Sequence, residues 1–339
     1  MIVEAMAIQN WNQFQSIEFQ FHPRMTVIVG ENGSGKTTIL QIIKQLFIQC
    51  QDIKKDSFEN KETIGNITLV GNSKILISSS NHSLCPYPSV NIHVPTMHQL
   101  LQGRYIPSRE CQLSHLDKEL DLLKTDPDLL EAFNIVLGEL FPKWFGFSSM
   151  KIEEDSIVLI TKSGLIDINS LSSGINYLIC LSWHIFHMQY GREGPFLFLI
   201  DELEAHLHAS LQRNILQKLV KTFPQFQFIV STHSPLIVHS VKDTAIFALT
   251  YDEKLRVTSR KIDFVQENIS VTAILRDVLG VTATYPIWVE EELTQITNRY
   301  RGKELNNNVY KALKEDLQKS GLISIFPQIV NHLYGGEQS

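Results

Sequence analysis

The stretch that most restricts how this chain can fold runs from Val27 to Leu40, VIVGENGSGKTTIL. Branched apolar residues lead into a loop with glycines at Gly30, Gly33 and Gly35, and Lys36, Thr37 and Thr38 open a new apolar-rich segment. Glycine lets backbone N–H groups turn inward on an anion without Cβ interference. A helix starting at Lys36 would add its unpaired N-terminal donors and the positive end of its dipole. Gly30–Thr37 fits G-x-x-x-x-G-K-[ST], in which the lysine reaches the β and γ phosphates and the hydroxyl ligates Mg²⁺. The expected nucleotide-binding set is therefore Asn32, Gly33, Ser34, Gly35, Lys36, Thr37 and Thr38, with ATP or GTP as the ligand.

Three later stretches extend this site. PFLFLIDELEAHLH contains a continuous apolar run, Phe196–Ile200, of the kind expected for a parallel strand buried on both faces. Asp201 and Glu202 stand at its C-terminal end, where ligands bind in open α/β sheets. Asp201 is expected to share Mg²⁺ with Thr37, and Glu202 to polarise the attacking water; phosphoryl transfer needs little beyond such positioning and charge stabilisation. FQFIVSTHSP is a second strand of the same kind, and it brings His233 to a strand end where it could sense the γ phosphate. LSSG, Leu171–Gly174, opens a predicted helix, so Ser172, Ser173 and Gly174 form a second anion site. One chain has one γ phosphate and already has a loop for it, so the second site is expected to grip the nucleotide of another copy.

The rest of the chain reads as follows. IVEAMAIQ, QSIEFQF and MTVIV are short strand candidates, with a helix from Lys36 to about Gln49. Residues 50–110 look irregular, with NITLV and KILIS as strands. Helices are predicted over about Gln112–Lys124 and from TDPDLLEAF, with Asp126 as N-cap and Pro127 at the first helical position. A hairpin is expected at KIEEDSIVLITKSG, then helices over about Gly174–Gln189 and near 207–221. After about residue 270 the pattern is helical, with Gly302 and Gly321 as stop signals. The formal charge of −6 argues against a broadly basic nucleic-acid surface, without excluding a local groove. The cysteines, Cys50, Cys85, Cys111 and Cys180, form no CxxC pair, which points to a reduced setting. No apolar run reaches the roughly 18–20 residues that span a bilayer, and the first residues lack a basic leader region. The expected location is cytoplasmic, with no membrane partner.

In order and spacing, the four motifs resemble the ATP-binding-cassette ATPase superfamily. GENGSGKTT is similar to its Walker A, LSSG to its signature, FLFLIDE to its Walker B, and His233 to its switch histidine. The opening IQNWNQFQSIEFQF, the DELEAHLH segment and VSTHSPLIV resemble the SMC, RecF and OLD-type branch rather than transporter cassettes. The resemblance covers motifs up to about residue 250. The helical C-terminus is similar, more loosely, to small standalone ATPases of bacterial anti-phage systems such as Septu-type modules. Against these patterns, Ser173 replaces a glycine, Ile175 a glutamine and Leu203 a proline, and Asn12 stands where a basic residue is usual. Gln99, Gln102 and Gln112 are all candidates for the Q-loop glutamine. The D-loop falls near Glu204–His208; His206 and His208 read as interface or packing residues rather than a metal pair.

The resemblance implies an α/β P-loop NTPase of the ABC-ATPase type. Its parallel core sheet is flanked by helices, with an antiparallel N-terminal β subdomain and a helical lobe. The expected domains are an ATPase domain over 1–270, with the lobe at about 95–190, and a helical segment over 271–335 suited to partner docking. The implied activity is hydrolysis of ATP with Mg²⁺, with Glu202 and His233 catalytic, in a head-to-tail ATP-sandwich homodimer that switches a nuclease or other effector. Nucleic acid would be met directly or through that partner. A RecF-like DNA-repair ATPase is the alternative, and a transporter cassette the remotest reading.

Overall fold

The computed structural model describes residues 2–48, 63–69, 73–79, 90–93, 103–107, 116–154, 156–238, 240, 243–262, 287–304 and 306–334. Two compact units are present, Met1–Gly280 and Val281–Ser339.

Among the described residues the first unit has fourteen strands: β1 (Val3–Trp11), β2 (Phe14–Gln20), β3 (Met25–Gly30), β4 (Thr63–Leu69), β5 (Ser73–Ser79), β6 (Val90–His93), β7 (Gly103–Pro107), β8 (Phe147–Glu153), β9 (Ser156–Thr161), β10 (Gly164–Asp167), β11 (Phe196–Asp201), β12 (Phe226–Thr232), β13 (Ala245–Tyr251) and β14 (Val257–Ile262). Eleven form one sheet in the order β6-β5-β4-β1-β2-β14-β13-β3-β12-β11-β7, and β10-β9-β8 form a small second sheet. The block β13-β3-β12-β11-β7 is parallel throughout. The N-terminal strands β1, β2 and β4–β6 pair antiparallel with one another. They continue the same sheet through the parallel pair β14–β2.

Alternation builds two cores from one set of strands, because successive side chains leave opposite faces. On β11, Phe196, Phe198 and Ile200 join one cluster while Leu197 and Leu199 join the other. On β3, Val27 and Val29 likewise part from Ile28. The first face packs on the helices Pro127–Leu140 and Ser173–Gln189, through residues such as Phe133 and Trp183, whose rings meet edge to face at 5.2 Å. The second packs on Ile39, Leu40 and Ile43 of the helix Lys36–Ile48 and on Phe14, Ile17 and Phe19 of β2. The sheet thus curls so that its antiparallel wing covers a face of its own parallel centre.

The curl is pinned by one polar side chain. Gln227 on β12 is 1% exposed and lies on the second face. Its Oε1 accepts from the Ile2 and Val3 amides at 2.8 and 2.9 Å, and its Nε2 donates to the Val3 carbonyl at 2.7 Å and to the His22 carbonyl at 3.2 Å. All the hydrogen-bonding capacity of the amide is used, as burial of a polar group demands.

Several local expectations meet their structural outcome. Asp126 caps its helix by accepting from the Leu129 amide at 3.0 Å, with Pro127 in the first turn. The predicted hairpin is β8–β9. The helix expected over 207–221 is broken into Ala209–Gln212 and Ile215–Thr222. Its break falls at Arg213 and Asn214, where the Asn214 amide turns back to the Leu211 carbonyl. Of the helix expected over Gln112–Lys124, the described part is two short turns, Asp117–Leu120 and Leu122–Thr125. Cys180 is buried with its thiol unpaired; the other three cysteines lie outside the described residues. Among the described residues no helix is long and apolar enough to cross a membrane.

The second unit has helices Ile287–Tyr300, Asn307–Lys319 and Phe326–Tyr334 around Ile296, Tyr300, Leu313, Leu317 and Phe326. Gly302 and Gly321 both have positive φ, 79° and 71°, the left-handed backbone that ends helices.

Gln227→Leu keeps the volume but leaves the Ile2 and Val3 amides buried and unpaired. Each such group costs about 1–3 kcal/mol, so the expected loss is about 3 kcal/mol or more, read as a lowered urea midpoint. A loss under about 1 kcal/mol would mean that the curl is held by packing alone.

Candidate nucleotide site

Strand pairing alone brings the predicted residues together. β12 lies between β3 and β11, and all three are parallel, so their C-terminal ends share one edge. Thr232 stands beside Val29, and Val230 beside Ile200. The loop after β3, the acids after Ile200 and the histidine after Thr232 must therefore converge.

The loop is held from behind by the turn between β1 and β2. Gln13 Nε2 donates to the Gly33 carbonyl at 3.0 Å, and the Gln13 carbonyl accepts from the Val257 amide at 2.8 Å. Gly35 has φ +93°, and a Cβ there would lie 2.5 Å from both Gln13 Nε2 and the Phe14 ring. Only glycine fits. Asn12, at the position where the resembling families carry a basic residue, is exposed at φ 51° in this turn, and the contact to the loop comes from its neighbour Gln13. Asn32, Gly33 and Thr37 are exposed, Gly35 and Thr38 half-buried, and Ser34 and Lys36 buried. The Ser34 hydroxyl is buried with no hydrogen-bond partner, an orphaned polar group inside an anion-shaped loop. Lys36 Nζ donates to the Gly30 and Glu31 carbonyls at 2.9 and 2.8 Å. Burial pushes its ammonium down to about 8, against the pull of Asp201, Glu204, Glu202 and Glu31.

Asp201 is buried, and both its oxygens are engaged. Oδ1 accepts from the Ser231 hydroxyl and Oδ2 from the Tyr105 hydroxyl at 3.3 Å. The Ser231 hydroxyl also accepts from the Glu202 amide at 2.9 Å. One serine therefore fixes both acids: it holds the carboxylate of the first and the backbone of the second. Glu202 is exposed and has φ 52°, an uncommon left-handed conformation for a non-glycine residue, which turns its side chain away from the strand direction. His233 is half-buried, hydrogen-bonded to the Gly30 backbone, and has its pKa lowered first by burial and then by Lys36, so the imidazole is neutral near pH 7. Thr37 is exposed next to Lys36, and Asp201 is near enough to Lys36 to pull on its ammonium; a hydroxyl and a carboxylate are hard-oxygen donors suited to Mg²⁺ that takes its other ligands from phosphate and water. No group of three or more histidine, cysteine or acidic residues forms a metal cage among the described residues.

Ser172, Ser173 and Gly174 lie elsewhere. They open the helix Ser173–Gln189, with Ser172 at the N-cap making no side-chain capping bond. They line a cleft of about 640 Å³ together with Trp144 and residues of the His206–Leu211 segment, and no phosphate-loop residue is among its described lining. Gly174 abuts the His206 carbonyl, which a Cβ would approach to 2.9 Å. The His206 ring is tilted at 50° to that of Tyr177, with centroids 6.0 Å apart, and His208 caps the Ala209–Gln212 turn. Gln99, Gln102 and Gln112 lie outside the described residues. Ser231, Gln13 and Tyr105 carry contacts that no motif announces. The serine sits in the STHSP string, one residue past the strand neighbour of Ile200, and only the β11–β12 register reveals its use.

A triphosphate entering the loop would replace the two carbonyl partners of Lys36 and restore its charge. Above pH 8 the empty site's lysine is mostly neutral, so binding must take up a proton and weaken as the pH rises; near neutral pH it takes up none at this residue. Calorimetry of ATP binding at pH about 9, in two buffers of different ionisation heat, should read close to one proton taken up per ATP. Equal heats in the two buffers would place Lys36 outside the contact.

Known proteins resemble this chain over most of its length. Residues 2–256 match the family model described as RecF/RecN/SMC N terminal domain. The Septu protein PtuA of Bacillus thuringiensis is 23% identical over 354 residues, covering 86% of this chain and 87% of that protein. The Retron Ec83 probable ATPase of Escherichia coli is 28% identical over 186 residues; these are 52% of this chain but only 32% of that protein's length. Among solved structures, the SMC head domain from Thermotoga maritima aligns with a TM-score of 0.53 at 17% identity, over 78% of this chain and all of that one. With its sheet, loop and paired acids in the matched region, the chain belongs to the RecF/RecN/SMC N-terminal-domain family.

Proposed function

We propose that the protein is a Mg²⁺-dependent ATPase that closes as a head-to-tail homodimer on ATP and thereby switches an effector, as the ATPase subunit of an anti-phage defence module. The observation that carries the reading is the separation of two anion sites. Lys36, Asp201, Glu202 and His233 converge at one sheet edge, while Ser172–Gly174 line a cleft with no phosphate-loop residue in its described lining. The likeness to Septu PtuA over most of both chains supports the defence role and a separate partner.

In this reading the amides of Gly33–Lys36 cradle the phosphates, and Lys36 moves from its carbonyl partners to the β and γ oxygens. Thr37 and Asp201 would hold Mg²⁺, which neutralises charge on those oxygens. The Ser231 bridge keeps Asp201 aimed and fixes the Glu202 backbone, so that the exposed Glu202 carboxylate orients the attacking water. His233, whose ring is hydrogen-bonded to the Gly30 backbone in the empty site, would turn its single N–H to the γ phosphate and register its departure. Ser172, Ser173 and Gly174 of a second copy complete the pocket from the far side. ATP then favours the closed state only by its extra contacts there, and hydrolysis removes them. The ATPase domain is assigned to 1–270, with the lobe at about 95–190. The helices of 271–335, which expose Trp288 and Tyr310, are assigned to partner docking. In this reading the protein works in the cytoplasm, where its substrate ATP is supplied. Nucleic acid would enter through the effector.

Glu202→Gln protein should bind ATP without turning it over and should double in mass on adding ATP but not ADP, measured by light scattering. In cells carrying the native module, the same substitution should abolish protection against phage plaques. A mutant that stays monomeric at saturating ATP would overturn the sandwich. Hydrolysis stimulated by DNA alone, with steep salt dependence and no effector, would favour the RecF-like repair reading instead.

A further inference from the structure

We propose that Glu204 is a positioning residue whose carboxylate clamps the backbone at His233 to the segment following the paired acids, so that the end of β12 and the wall of the signature-side cleft move as one piece. The role given to His233 rests on the proposed function above; the clamp itself is geometric. Glu204 Oε2 accepts from the Thr232 hydroxyl at 2.7 Å, and Oε1 accepts from the His233 amide. The circuit continues. Thr232 Oγ1 accepts from the Ser234 amide at 2.9 Å, the Ser234 hydroxyl donates to Gln212 Oε1 at 2.6 Å, and Gln212 Nε2 donates to the Leu207 carbonyl at 2.7 Å.

Residues 204–207 are therefore tied at both ends to residues 232–234. Between the ties the chain is wound tightly, with the Ala205 amide on the Glu202 carbonyl and the Leu207 amide on the Glu204 carbonyl, each at 2.9 Å, and His206 at φ 64°. The His206 carbonyl is the atom against which Gly174 packs. A displacement of His233 thus has a hydrogen-bonded route toward Gly174: through Glu204 and along the wound segment to the His206 carbonyl, which leaves no room for a Cβ at Gly174. Both Glu204 oxygens are occupied by neutral donors, a use of ionised acceptors that makes strong, directional bonds. This arrangement fits a clamp and not a base waiting for water.

The test compares ATP and ADP dissociation constants for the full chain by calorimetry, since the ratio of the two reads the γ-phosphate contact alone. Glu204→Ala should cut the preference for ATP by about tenfold, toward that of His233→Ala, with ADP affinity little changed. Glu204→Gln should stay within about threefold of wild type, because its oxygen still takes the His233 amide and its NH₂ can donate to the Thr232 hydroxyl. Thr232→Val, which removes one arm and keeps the shape, should fall between them, and it decides the matter if Glu204→Ala does not fold. A structural role alone would lower the urea midpoint and leave the ratio unmoved, which overturns the clamp, as does a Glu204→Gln variant as poor as Glu204→Ala. Light scattering with ATP tests the route to the cleft. If Glu202→Gln associates and Glu202→Gln with Glu204→Ala associates equally well, the route fails while the sandwich stands. If Glu202→Gln alone does not associate, the sandwich fails and the affinity ratio still judges the clamp.

Discussion

The parallel pairing of β3, β12 and β11 is the constraint from which the rest of the site descends. Parallel neighbours end on the same side, so the phosphate loop, the paired acids and the histidine cannot avoid one another once the register is set. The register in turn places Ser231 one step beyond the neighbour of Ile200, within reach of Asp201 and the Glu202 amide. No loop has to search for this geometry. It is inherited from strands buried on both faces, which are the least mobile parts of such a fold.

Three polar side chains inside this frame show how burial is met. Gln227 uses its whole amide to hold β12 to the first strand. Lys36 borrows two carbonyls of its own loop, and burial has already lowered its proton affinity. The Ser34 hydroxyl is left over. Glu202 and His206 hold left-handed backbone, which is uncommon for residues other than glycine, on either side of Glu204. Strain of this sort persists where the surroundings over-determine it, and here the surroundings are the hydrogen-bonded ring between residues 204–212 and 232–234.

Much of this was legible in the chain before any coordinates. FLFLI and FQFIV announce buried parallel strands by being apolar without alternation, and the loop announces its own chemistry through glycine spacing. Asp126 and Pro127 mark a helix start because capping is a local interaction. What stayed hidden depends on partners distant in sequence. Tyr105 matters only because β7 happens to pair with β11. Gln227 reads as an intruder in an apolar strand until the curl brings Ile2 and Val3 to it. The broken helix at Arg213–Asn214 carries no proline or glycine to give it away. Counting anion sites in the sequence only points Ser172–Gly174 toward a second copy's nucleotide, whereas the cleft with Trp144 at its rim required the fold.

The two interleaved cores have a consequence for how substitutions combine. Leu199 and Ile200 are adjacent in the chain yet belong to different clusters, while Phe198 and Ile200 share one. Truncations at immediate neighbours should then sum as though they were in separate proteins, and truncations two apart should interfere. Along these strands, thermodynamic kinship skips every other letter of the sequence.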